Sequence, residues 1–141
     1  MKKLIFLSAL VCSGVTILFA QSGNSPSKQQ YLLIFRFKSN FTPASQEAVQ
    51  ANIKHWQEYM GNLGQSGKLV SGFRPTNEGK TITGTDKTIK EGAYIANNES
   101  ISSFILIRAD SMDEAGEIAK RCPIFEFDGS VEIRPVMQTA K

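Results

Sequence analysis

From Tyr31 to Lys38 the chain reads YLLIFRFK, an unbroken apolar run rich in aromatic and branched residues and bounded by Ser39-Asn40. Such a run predicts a central strand covered on both faces. Thr42-Pro43 then offers a helix N-cap followed by proline at the first helical position. Val49, Ile53, Trp56, Met60 and Leu63 recur at helical spacing beyond it. They fall within about 40° of one line on a 3.6-residue helix, so this stripe is expected to face the core. Gly64 and Gly67 mark its end. KLVSGFRP (68–75) reads as a short strand stopped by Pro75, and TNEGKTITGTDKTIKEG (76–92) as an exposed hairpin. SFILIRA (103–109) is the second strongly apolar strand. SMDEAGEIAKRC (111–122) carries a capping box from Ser111 to Glu114, then Met112, Ala115, Ala119 and Cys122 at helical spacing, with Pro123 as its stop. In SVEIRPV (130–136), Val131 and Ile133 alternate with Glu132 and Arg134, and Pro135 puts the strand at a sheet edge.

The order is strand, helix, strand or hairpin, strand, helix, strand. Two helices cover only one face of a four-stranded sheet. The expected fold is therefore α+β, a ferredoxin-like βαββαβ unit with an extra hairpin. The second sheet face would stay apolar and uncovered, which predicts a homodimer through that face.

The first residues, MKKLIFLSALVCSGVTILFAQS, change the picture of where the chain works. Lys2 and Lys3 precede an uncharged apolar stretch, Leu4 to Phe19, that ends at the small residue Ala20. This is the pattern of a signal peptide, with cleavage expected after Ala20 and a periplasmic or secreted product. The stretch is short for a membrane span, so no membrane association is expected after cleavage. Residues 21–30, polar and small, read as a disordered lead-in, and 31–137 as the single folded domain.

Charge and cysteine content then exclude several classes. The whole chain has 16 Lys and Arg against 13 Asp and Glu. Without the two leader lysines the balance is 14 − 13 = +1. No basic stripe with interleaved aromatics remains, which argues against nucleic-acid binding. Cys12 belongs to the leader, and Cys122 alone cannot form an internal disulfide. One cysteine and one histidine cannot supply a structural zinc site, and no cofactor is expected.

Four stretches in order resemble the YCII-related (DGPF-type) domain family. They are YLLIFRF (31–37), HWQEYMGNLGQSGKLVSG (55–72), SFILIRADSMDEAGEIAKRCPIF (103–125) and GSVEIRPV (129–136). The resemblance spans about residues 31 to 137 and implies a dimeric α+β barrel. Where many relatives carry Asp-Gly-Pro-Phe, this chain has Glu91-Gly92-Ala93-Tyr94. Relatives of this kind also usually lack a signal peptide.

His55 is the only histidine. It lies about 120° from the expected apolar stripe, with Asn52 and Tyr59 between, so the residues alone read it as a half-exposed helix histidine beside Tyr59. The resemblance adds a chemical reading. Several YCII-like proteins carry a histidine here, and a His–Asp pair in a cleft has been taken there as an acid–base site. The expected carboxylate partner is Glu91, with Asp86 second; it would orient one imidazole nitrogen so that the other faces a ligand. Arg134 is a candidate anion binder, although pairing with Glu132 or Glu91 is the favoured expectation. Tyr94 and Tyr59 are candidate ligand contacts, Trp56 is expected in the core, and Cys122 reads as a buried inert thiol.

Two functions follow. One is an exported, dimeric small-molecule-binding or accessory domain whose site is degenerate at the altered motif. The other, by family analogy, is a small lyase or isomerase that acts on a small anionic compound through a His55–carboxylate acid–base pair. A haem- or oxygen-using monooxygenase has no supporting residues.

Overall fold

The computed structural model describes residues 28–137. The leader-like segment, its Ala20 boundary, Cys12 and residues 21–27 of the expected lead-in lie outside them.

The chain folds as strand β1 (Gln29–Lys38), helix α1 (Gln46–Gln65), β2 (Leu69–Phe73), β3 (Lys80–Thr83), β4 (Thr88–Glu91), β5 (Glu99–Ala109), helix α2 (Met112–Lys120), a 3-10 turn (Pro123–Phe127) and β6 (Ser130–Pro135). Strands β2, β5, β1 and β6 form one antiparallel sheet in that order, and β3 pairs only with β4. This is the α+β, ferredoxin-like arrangement with an additional hairpin. The Pro135 strand lies at an edge, where the missing N–H breaks no ladder. β1 starts at Gln29, so the last two residues of the expected lead-in belong to the sheet.

Alternation sorts the sheet into two faces. Tyr31, Leu33 and Phe35 of β1 pack with Ile105, Ile107 and Ala109 of β5 beneath the helices, against Ala115, Ile118 and Ala119 of α2. On the other face Leu32 lies opposite Leu106, and Ile34 lies between Phe104 and Glu132. No described helix covers it, and no described helix is long and apolar enough to cross a membrane.

Helix α1 departs from expectation at its start and on its buried face. Ser45, not Thr42, is the N-cap: it is extended and its Oγ accepts the Ala48 N–H at 3.2 Å, leaving Pro43 ahead of the helix. The buried residues are Asn52, Tyr59 and Leu63, while Ile53 is 43% exposed. The buried line is thus rotated by about 60° from the apolar stripe, at 100° per residue, toward the flank that carries His55. The cause is the 3-10 turn, which packs on that flank and which the sequence reading did not anticipate. The helix closes at Gly67, in a left-handed conformation (φ 66°), with Lys68 N–H donating to Leu63 O and Gly67 N–H to Gly64 O. That pair of bonds is a Schellman closure, and φ > 0 there suits glycine.

At the N-terminus of α2, Ser111 Oγ accepts from the Glu114 N–H at 3.1 Å. The Glu114 carboxylate reaches back to the Asp110 N–H at 2.6 Å, one residue earlier than in a standard capping box.

Candidate functional site

Two local features bring the site together. The α1 flank presents Asn52, His55, Tyr59 and Asn62 at three- and four-residue intervals, so their side chains rise along one side of the helix. Beyond α2, Cys122 is extended and Pro123 opens the 3-10 turn, which projects Glu126 at that flank. The turn is anchored at its far end, where Gly129 N–H donates to Ile124 O. A β-carbon on Gly129 would lie 2.6 Å from Ile124 Cγ1 and 2.8 Å from Arg36 O, so only glycine fits there.

His55 Nδ1 lies 2.8 Å from Glu126 Oε1. The other carboxylate oxygen, Oε2, accepts from Asn52 Nδ2 at 2.8 Å, and the same amide nitrogen donates to Pro123 O at 2.9 Å. An ionised carboxylate only accepts hydrogen bonds, so this contact is a hydrogen bond when the imidazole carries a proton on Nδ1. The second ring nitrogen, Nε2, is then the one available for a ligand. The side chains of His55 and Glu126 are half exposed, and Asn52 is buried.

The pair borders an open cleft of about 650 Å³, within the range of small-molecule sites. Tyr59 and Leu63 give it an apolar wall, and Lys68 and Arg121 add positive charge. Lys68 Nζ is engaged by Glu114 Oε1 at 2.5 Å. Arg121 caps the C-terminus of α2, and among the described residues it forms no ion pair. Tyr59 OH donates to Ile118 O at 3.2 Å, and burial pushes its phenol well above the ordinary range, so it stays protonated and fixed. Burial likewise raises the Cys122 thiol to about 11, which keeps it a thiol.

The sequence-derived candidates divide sharply. His55 and Tyr59 line the cleft. The carboxylate on His55 is Glu126 rather than Glu91: Glu91 ends β4, where it pairs with Lys80 at 3.0 Å. Asp86 accepts from Thr88 Oγ1 at 2.6 Å within the same hairpin, and that bond lowers its carboxyl below the ordinary value. Tyr94 is 67% exposed beyond the hairpin and does not line the cleft. Arg134 pairs with Glu132, which also holds Arg36 at 2.8 Å, on the uncovered sheet face. Trp56 is partly buried and meets Phe35 edge-on at 5.4 Å.

Glu126, Asn52, Lys68 and Arg121 were not among the candidates. Two signals were present for them. Asn52 is a polar residue one turn before His55 on its own flank, and Glu126 is a lone charge between Phe125 and Phe127. Among the described residues no group of three or more His, Cys, Asp and Glu is arranged to hold a metal.

The fold and the site define a class: an antiparallel ferredoxin-like domain with one helix-borne imidazole–carboxylate pair at a cleft. The chain belongs to the YCII-related domain family, whose model matches residues 31–140. No curated protein matches the chain.

Proposed function

We propose that this domain catalyses proton transfer on a small anionic compound, as a lyase or isomerase. The observation that carries the reading is the His55 Nδ1–Glu126 Oε1 contact of 2.8 Å. With Nδ1–H committed to the carboxylate, the Nε2 lone pair removes a proton from carbon next to a carbonyl or similar withdrawing group. The C–H electrons form a double bond as a leaving group departs, or shift along the ligand while Nε2–H returns its proton at another carbon. Glu126 orients the imidazole and stabilises the imidazolium. Arg121, which lines the same cleft, pairs with the ligand's anionic group.

The test is a screen of small halogenated, unsaturated and keto acids for elimination or for solvent deuterium uptake. Turnover that His55→Ala lowers by about 10²- to 10⁴-fold supports the reading. Turnover equal in wild type and His55→Ala removes it.

A second reading has its own support. The side chains of His55 and Glu126 are 50% and 41% exposed, and an open site suits reversible binding better than chemistry that excludes water. In that case the domain is a small-molecule-binding or accessory module, and ligands found by calorimetry would bind to it unchanged.

Two further properties complete the proposal. The leader-like residues 1–20 direct export, and an exported product beginning at Gln21 by mass spectrometry is the expected result. A second copy covers the apolar sheet face of Leu32, Ile34, Phe104 and Leu106, with Arg36, Glu132 and Arg134 at its side. A monomer by light scattering at micromolar concentration would remove the dimer.

A further inference from the structure

We infer that Asn52 is the positioning residue of the His55 site: it fixes the Glu126 carboxylate, and through it the tautomer of the imidazole. The consequence for catalysis rests on the acid–base reading above; the hydrogen-bonding role does not.

Asn52 is the one buried polar residue in the described domain, 6% exposed on the inner flank of α1. Asparagine is mostly found at protein surfaces, and burying an amide is costly unless it is bonded. Here the Nδ2 group donates to Pro123 O at 2.9 Å and to Glu126 Oε2 at 2.8 Å. One bond ties the amide to the start of the 3-10 turn and the other to the carboxylate the turn carries. The amide therefore holds both the backbone that presents Glu126 and the direction in which its carboxylate points.

That restraint decides what Glu126 can do. A glutamate on a surface turn samples several rotamers, and an exposed ion pair with histidine would not hold one of them by itself. With Oε2 taken by a buried donor, Oε1 is left facing His55 Nδ1. Asn52, Glu126 and His55 thus form a chain of bonds that runs from the core to the cleft. Neutral imidazole on its own favours the proton on Nε2, which would leave that nitrogen without a lone pair to accept a proton. The chain reverses that preference. The side chain must be an amide for this: a carboxylate at position 52 would face the Glu126 carboxylate and the Pro123 carbonyl with no donor to offer either.

The test uses the full chain labelled with 15N-histidine, whose one histidine needs no assignment. On the basic side of imidazole titration, wild type is expected to hold the proton on Nδ1, with a preference of about ten-fold or more. In Asn52→Ala and Asn52→Asp that preference falls to near parity or inverts, as it does in Glu126→Gln, while near-ultraviolet circular dichroism stays native. A wild-type majority of the Nε2–H form overturns the inference, and this reading needs no variant to fold. A folded Asn52→Ala that keeps the wild-type tautomer overturns it too. If tautomers shift as expected and no compound is turned over, the positioning role stands and the enzymatic reading fails. If a compound is turned over, Asn52→Ala lowers kcat with little change in KM, whereas Arg121→Ala raises KM.

Discussion

The His55 cleft and the β3–β4 hairpin each hold a carboxylate that the chemistry could use, and they treat it in opposite ways. Glu126 is held by a buried amide from a helix 74 positions away in sequence. Glu91, in the Glu91-Gly92-Ala93-Tyr94 segment, forms its one ion pair among the described residues with Lys80 across a two-stranded ribbon, and its side chain is 75% exposed. Ile82 and Ile89 face one another in that ribbon and stay 64% and 59% exposed. A charge becomes useful for orienting a proton when packing removes its alternatives, and only the cleft supplies that packing.

The largest effect expected from this difference is on turnover. Glu126→Gln keeps the shape of the side chain but replaces an ionised acceptor with a neutral amide, so the imidazolium formed in the reaction loses its counter-charge. A loss in kcat/KM of about 10²-fold or more is expected. Glu91→Gln should leave kcat/KM within about two-fold, since it disturbs one surface ion pair. Equal losses in both variants would erase the distinction between the regions and return Glu91 to the site.

Next in size is a contrast between two glycines. Gly129→Ala places a β-carbon against Ile124 and the Arg36 carbonyl, both too close to remain where they are. Repacking at the end of the 3-10 turn should cost about 1–3 kcal/mol. Gly79, just before β3, has open space around its β-position and no left-handed backbone. Gly79→Ala should change stability by no more than about 0.5 kcal/mol. Urea midpoints for the two variants measure this directly, and matched midpoints would mean that the turn is no tighter than the hairpin.

A single hydroxyl makes a finer comparison. Tyr59→Phe removes the bond from α1 to Ile118 O inside the domain, and about 0.5–1.5 kcal/mol should go with it. Tyr94→Phe, on an exposed ring, should be silent in the same melts. If both are silent, the Tyr59 hydroxyl contributes nothing to holding α1 against α2.

Much of this fold was legible in the residues. YLLIFRFK and SFILIRA declared the two central strands, and Pro135 declared the edge. The hairpin followed from its turn-rich composition. The site was half legible. His55 stood out as the lone imidazole, but its partner could not be found by local pattern, because Asn52 and Glu126 are joined by tertiary packing across the chain. Helical periodicity pointed to the Val49–Ile53 side of α1. It missed the buried flank because a 3-10 turn, whose short sequence PIFEF has no helical period, decides which flank is covered. The family motif drew notice to Glu91 for the same reason: a motif marks a position in the chain and not its neighbours in space.

The smallest effects come from pH, and they separate the regions by how far each ionic tie reaches. Glu114 is lowered below its ordinary value first by the Asp110 N–H and then by Lys68. Asp128 is lowered by its bond to Lys38, and Glu132 by Arg134 and then Arg36. A carboxyl that is more acidic folded than unfolded adds stability above its unfolded value and loses it as pH falls through the folded value. Stability of the domain should therefore decline as pH drops below about 4.5, steadily and without a single break, because several exposed groups contribute a little each. Of these, the Lys68–Glu114, Lys38–Asp128 and Arg36–Glu132 pairs join elements remote in sequence. Asp86 in the hairpin is lowered too, but by Thr88 two residues on, so its protonation should loosen the turn and leave the domain intact. On the basic side the sign reverses. Burial raises Cys122 to about 11 from 9.0, so the folded thiol stays neutral after the unfolded one has ionised. That contribution is complete below about pH 9 and is lost as pH climbs toward 11. Thermal melts from pH 3 to 11 on a Cys12→Ser chain, paired with Cys122→Ala, isolate it. A basic limb of equal slope with and without the Cys122 thiol would show that the thiol ionises alike in the folded and unfolded chain and that burial does not raise it.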